Sequence, residues 1–137
     1  MLRSLAFLTA MIATGASAAP ARFVERSVDL HGKTYRYQVF VPTDVEGKHP
    51  AVVLFLHGSG ERGSDNQAQL SQGLPPWLKQ HTDFPAVVVI PQAPNDTEWT
   101  DKADADMALA ALDKSVKEFH GDRKRLYLTG LSMGGFG

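Results

Sequence analysis

Gly130, Ser132 and Gly134 stand in G-x-S-x-G spacing directly after the apolar run 126–129. A serine hydroxyl becomes a useful nucleophile only when a base can take its proton and the backbone holds its oxygen out toward substrate. A sharp turn between a strand and a helix does the second job, and it crowds the chain so tightly that the residues flanking the serine must lack side chains. The strain of such a turn exposes Oγ and aims the N-terminus of the following helix at a developing oxyanion. A glycine-rich turn with an incidental serine is the bland alternative, and the strand immediately upstream argues for the nucleophile.

A second group, His57-Gly58-Ser59-Gly60, comes after another apolar run, Ala51–Leu56. Acyl transfer through a tetrahedral intermediate needs two backbone N–H donors aimed at its oxyanion. The residue after the nucleophile, Met133, supplies one, and Ser59 supplies the other, with Gly60 as the alternative second donor. His57 ends a strand, where a histidine more often shapes a loop by hydrogen bonding than acts as a base. Glu61, Arg62 and Asp65 either steady that loop through charge-assisted bonds or are simply solvated. Trp99, in the long polar connection after the run 86–90, either lines a substrate pocket or lids the core. Trp77 reads as packing.

These groups need a scaffold, and the hydrophobic pattern supplies one. Residues 26–30 and 33–41 alternate around His31 and Gly32, which predicts an antiparallel hairpin closed by a tight turn. Ala51–Leu56, 86–90 and 126–129 are unbroken apolar runs of strand length, the pattern of parallel strands covered on both faces. Residues 61–72 read as a polar loop with a short helix possible from Asn66, and Pro75 or Pro76 opens another turn. Between the last two strands Asp104 is placed to cap a helix whose buried stripe is Leu109, Leu112, Val116 and Phe119, ended by Gly121 at C′. Buried strands alternating with helical segments predict an α/β fold with a mostly parallel sheet, helices on both faces and an N-terminal antiparallel hairpin.

The 137 residues carry a formal net charge of -1 with both signs interspersed, which provides no field for nucleic acid or an anionic membrane. Cysteine is absent, so a disulfide framework, a thiolate nucleophile and a cysteine-based metal site are all excluded. Histidine and acid clusters with metal-ligand spacing are not found, and no metal or cofactor is expected. At the N-terminus Arg3 precedes a short apolar stretch and then Ala16-Ser17-Ala18, the layout of a secretory signal peptide cleaved after Ala18. The apolar stretch is short for a membrane span, so no membrane anchor is expected after cleavage. The chain therefore reads as a signal peptide, 1–18, and then one domain, 19–137, exported to the periplasm or beyond.

Over residues 37–137 the sequence resembles secreted esterases of the α/β-hydrolase fold, a group that includes feruloyl esterases, polyhydroxyalkanoate-depolymerase-like enzymes and predicted peptidases. The resemblance rests on Leu56-His57-Gly58-Ser59-Gly60-Glu61-Arg62-Gly63, on Pro91-Gln92-Ala93-Pro94 with Trp99, and most specifically on Arg125-Leu126-Tyr127-Leu128-Thr129-Gly130-Leu131-Ser132-Met133-Gly134-Gly135. Relatives often carry Cys where Ala93 stands. The resemblance implies cofactor-free cleavage of small or polymeric carboxylic esters through an acyl-enzyme on Ser132, with the Ser59 and Met133 amides as oxyanion donors. It also implies an Asp or Glu and then a His after the nucleophile. All five histidines precede Ser132, so none takes the role of base, and 19–137 reads as the N-terminal part of a single hydrolase domain. Serine peptidases share the machinery, and a non-catalytic binding remnant is the reading from a different class.

Overall fold

A computed structural model describes residues 20–45 and 47–137; the expected signal peptide lies outside the described residues. Five strands are formed: β1 (Arg22–Leu30), β2 (Lys33–Val41), β3 (Ala51–Leu56), β4 (Ala86–Pro91) and β5 (Leu126–Gly130). They make one sheet in the order β1-β2-β4-β3-β5. β1 and β2 form the expected hairpin, with Leu30 opposite Lys33 and both His31 and Gly32 at positive φ, 52° and 76°. Positive φ at both central residues gives a two-residue turn the twist that its strands require. β2 pairs antiparallel with β4, whereas β3 pairs parallel with β4 and β5. The sheet is thus evenly mixed among the described residues rather than mostly parallel, because the hairpin docks through β2 on β4 and adds its own antiparallel pairings.

The apolar runs split by residue parity. Val52, Leu54 and Leu56 of β3 share one core with Val87 and Val89 of β4 and with Tyr37, Val39 and Val41 of β2. Ala51, Val53 and Phe55 share the opposite core with Val88 and Ile90. Successive strand residues point to opposite faces, so an uninterrupted apolar run signals two covered faces. The first face is covered by α2 (Lys102–Glu118) through Met107, Ala108, Ala111 and Val116, and the second by the short α1 (Leu74–Leu78) through Leu78 and Leu74. The chain steps from β3 to β4 in one direction across the sheet and then back past β3 to β5. Crossovers of one hand that step in opposite directions must place their connections on opposite faces.

Several local expectations shift. Asp101, not Asp104, occupies the N-cap of α2, but its side chain does not bond the helix N-terminus and its Oδ2 accepts the Glu98 N–H at 2.8 Å instead. Asp104 lies in the first turn, buried, and burial pushes its carboxyl above the ordinary aspartate value. Of the expected stripe on α2, Val116 is buried and Leu112 and Phe119 pack half-buried against the core, but Leu109 is 59 % exposed, and Met107, Ala108 and Ala111 complete the buried face. A stripe picked by large residues missed the alanines, which let the helix sit close to the sheet. Trp77 is 44 % exposed and stacks on His81 with ring centroids 3.7 Å apart, so it covers surface instead of filling the core.

Gly121 corrects another reading. The residue in the left-handed conformation past α2 is His120, φ 53°, and Gly121 comes next, donating its N–H to Val116 O at 2.9 Å in the manner of a Schellman motif. Its glycine identity is set by packing, since a Cβ there would lie 2.4 Å from Val52 Cγ2. Gly121→Ala is therefore expected to lower stability by about 1 to 3 kcal/mol. Val52→Ala should recover part of that loss in the double variant, giving a coupling readable in denaturant unfolding. Additive losses would show that Gly121 serves conformation alone.

β5 corrects a further expectation: the run 126–129 reads as a strand covered on both faces, yet among the described residues β5 lies at an edge of the sheet with nothing packed over it, and every one of its residues is exposed, Tyr127 by 56 % and Leu128 by 61 %. No described helix is long and apolar enough to cross a membrane.

Candidate functional site

β3 is the strand at which the crossovers reverse direction, with β4 on one side and β5 on the other. Loops leaving the carboxyl ends of adjacent strands separate at such a point and open a crevice. The three loops that leave here are those the sequence singled out: His57 to Gly60 after β3, Gln92 to Trp99 after β4, and Leu131 to Gly135 after β5.

Ser132 has φ 52°, left-handed for a residue with a side chain. That conformation costs energy and persists only where the surroundings enforce it. The flanking glycines show how. A Cβ on Gly130 would lie 2.0 Å from Gly134 O, and a Cβ on Gly134 would lie 2.0 Å from Leu56 O. The turn is folded so closely on itself and on the end of β3 that no side chain fits at either position. It is held by Leu131 N–H donating to Leu56 O at 3.0 Å and Gly134 N–H to Leu131 O at 2.9 Å. Ser132 itself opens a single 3₁₀ turn, Ser132–Gly135.

Gly58 brings the second loop to the first, because a Cβ on it would stand 3.6 Å from Ser132 Cβ and 3.0 Å from Glu61 Oε2. Ser59 opens a 3₁₀ turn, Ser59–Glu61, and lines the same cavity as Ser132 and Met133. Among the described residues, neither the Ser59 N–H nor the Met133 N–H takes part in the backbone bonds that tie these turns together. The cavity, about 540 Å³, is bounded also by Arg62, Glu98, Trp99, Thr100 and Phe136.

His57 is fully buried, and both ring nitrogens are committed. Nδ1 lies 2.6 Å from Gly58 O, which can only accept, and Nε2 lies 2.9 Å from the Ala93 N–H, which can only donate. Both bonds at once require the neutral Nδ1–H tautomer. Burial also holds its pKa below the ordinary histidine value. This geometry matches a histidine that shapes a loop. Of the other histidines none borders the cavity: His31 sits in the hairpin turn, His49 contacts His120 O, His81 contacts Trp77 O, and His120 ends α2. Trp99 is 2 % exposed, donates its indole N–H to His57 O at 2.9 Å and meets the His57 ring edge-on. It is both core lid and cavity wall.

The acidic and basic loop residues separate in role. Asp65 Oδ1 accepts the Gln67 and Ala68 N–H groups and Gln92 Nε2, at 2.9, 3.1 and 2.8 Å. These donors favour the charged form and hold its pKa at about 2. A depressed carboxylate contributes stability that is present above its unfolded value near 3.8 and is lost as pH falls through about 2. An Asp65 carboxyl titration tracked by NMR should give a midpoint near 2, and a midpoint near 3.8 would show that these hydrogen bonds are not formed in solution. Glu61 is largely buried beside Gly58. Arg62 turns toward the cavity and donates Nη2 to Met133 Sδ at 3.0 Å.

Sequence reasoning missed a buried amide cluster behind the loop. Gln92 Oε1 accepts the Asn66 N–H at 2.7 Å while its Nε2 reaches Glu61 O, Gln38 Nε2 donates to Asn66 O, and Gln69 Nε2 donates to Asn66 Oδ1. Asn66 itself has φ 56°. The one signal available was Gln92 just past the buried strand. Its partners are 26 or more residues away in sequence, and no local pattern pairs them. Among the described residues no cluster of three or more His, Cys, Asp or Glu side chains is placed to hold a metal ion.

A mixed sheet with helices on both faces and loops converging at its crossover reversal is the architecture of α/β-hydrolase esterases, and solved structures of such enzymes superimpose on this chain. A thermostable esterase matches at 30 % identity with TM-score 0.67 over 84 % of this chain and 36 % of its own. A thermostable esterase from Pseudomonas putida matches at 25 % identity and TM-score 0.58, over 85 % of this chain and 36 % of its own. A ferulic acid esterase shares the fold at 21 % identity, TM-score 0.68, over 85 % of this chain and 52 % of its own. The chain thus spans about a third to a half of the length of these proteins. No protein-family model and no curated protein matches the sequence.

Proposed function

We propose that this chain carries the nucleophile and oxyanion hole of a serine carboxylic-ester hydrolase. The observation that supports this most directly is Ser132 at φ 52° between two glycines that admit no Cβ, facing the Gly58–Ser59 loop across the cavity. Ser132 Oγ attacks the ester carbonyl carbon as a general base takes its proton, and the carbonyl π electrons move onto oxygen. The Ser59 and Met133 N–H groups bind that oxyanion, a contribution of roughly 3 kcal/mol per donor. Collapse of the intermediate expels the alcohol and leaves an acyl-serine, which water then cleaves. The base is a His that comes after the nucleophile in chain order. Trp99 forms part of the substrate wall, and no cofactor or metal enters the chemistry. The Arg3 and Ala16-Ser17-Ala18 layout supports action after export.

Fluorophosphonate labelling of the gene product that carries this chain tests the reading. A covalent adduct on the peptide containing Ser132, lost on prior exposure to a 4-nitrophenyl ester, is expected. Absence of labelling in a folded protein that also fails to turn over esters would favour a binding remnant.

A further inference from the structure

We infer that Arg62 is a specificity-determining residue that selects esters carrying a carboxylate near the scissile bond; this rests on the esterase reading above. The guanidinium borders the same cavity as Ser132 and Ser59. A guanidinium offers five N–H donors and no acceptor, and it is best satisfied by two oxygens in its own plane. Among the described residues Arg62 has no such partner. Nη2 meets only the Met133 thioether, a weak acceptor, at 3.0 Å, and among the described residues the buried Nε–H finds no acceptor. The nearest carboxylate, Glu98, lies 4.0 Å from Nη2, beyond hydrogen-bond reach, and is 65 % exposed.

A cation so placed, partly withdrawn from water and without a strong acceptor, favours a ligand that brings one. The remaining cavity walls, Trp99, Thr100, Met133 and Phe136, carry no charge, and Glu98 at the mouth is the counter-charge that an incoming carboxylate replaces. An oxygen-rich neutral group would gain less, since it brings no opposite charge to the guanidinium and lacks the two equivalent anionic oxygens of a bidentate pair. A purely structural Arg62, bracing Met133 through the sulfur contact, would affect all esters alike.

The test compares kcat/KM for 4-nitrophenyl hydrogen glutarate and 4-nitrophenyl butyrate, which share a leaving group, using the gene product that carries this chain. In Arg62→Gln the ratio of the anionic to the neutral ester should fall at least tenfold, with Arg62→Lys between it and the parent. Glu98→Gln should raise the ratio, and in the parent protein the ratio should fall with added salt, a measurement that needs no variant. If the ratio does not respond to Arg62→Gln or to salt while butyrate is hydrolysed, Arg62 is structural and the inference is overturned with the esterase reading intact. If the folded parent hydrolyses neither ester, both readings fall together.

Discussion

Ser132→Ala in the gene product that carries this chain is expected to lower kcat for 4-nitrophenyl butyrate by on the order of 10⁴ to 10⁶, leaving a residual rate from the oxyanion donors and binding alone. The large factor comes from geometry. Among the described residues no other hydroxyl-bearing residue sits in a strained position like that of Ser132, φ 52°, where the β5 turn meets the β3 loop. The hydroxyl of Ser59 borders the same cavity, but it sits in a relaxed 3₁₀ turn and its proposed role is carried by the main chain. Ser59→Ala keeps the N–H, so its effect on kcat should be small beside that of Ser132→Ala. Equal losses in the two variants, or a Ser132→Ala protein with parental turnover, would remove Ser132 from the nucleophile role. The thermal midpoint of Ser132→Ala should stay within a few degrees of the parent, because Ala at positive φ is strained much as Ser is.

Gly134→Ala is expected to be among the most damaging single methyl additions in the described part of the chain. The new Cβ would lie 2.0 Å from Leu56 O, 2.5 Å from Leu56 C and 2.9 Å from His57 O, all main-chain atoms at the end of a central strand. A side chain in the way can rotate, but a strand backbone moves only by breaking the ladder that holds it. The loss should exceed about 3 kcal/mol, the upper part of the range for overpacking. Gly130→Ala, 2.0 Å from Gly134 O, should behave alike. Gly60→Ala supplies the control, since a Cβ there meets nothing within 4 Å, and its stability should change by no more than about 0.5 kcal/mol. Urea unfolding midpoints rank the three. A Gly134→Ala protein as stable as Gly60→Ala would mean that the turn does not close on β3 as described.

The contrast between Gly134 and Gly121 shows what a sequence can convey. G-x-S-x-G marked Gly130 and Gly134 correctly because the crowding is local and recurs wherever a strand turns sharply into a helix around an exposed serine. Gly121 looked like a helix terminator for equally sound local reasons, yet the terminating conformation belongs to His120, and Gly121 is small because Val52, 69 positions earlier, lies against it. The stripe on α2 went astray in the same way at Leu109 alone, since Leu112, Val116 and Phe119 do meet the core. Period alone cannot say which of two overlapping faces meets the sheet, and the alanines that allow close approach carry little hydrophobic signal.

By itself the sequence determined the hairpin and its turn, the three apolar strands, the strained serine and the loop beside it, since each is written in consecutive residues through period, turn chemistry or steric exclusion. Tertiary structure alone decided that the sheet is evenly mixed, that His57 spends both nitrogens on the backbone, that Gln38, Asn66, Gln69 and Gln92 brace the loop from behind, and that Arg62 faces the cavity. Those facts depend on which distant segments become neighbours. Hydrogen bonds between residues far apart in the chain are fixed by packing of the whole sheet, and no short window of sequence contains both partners.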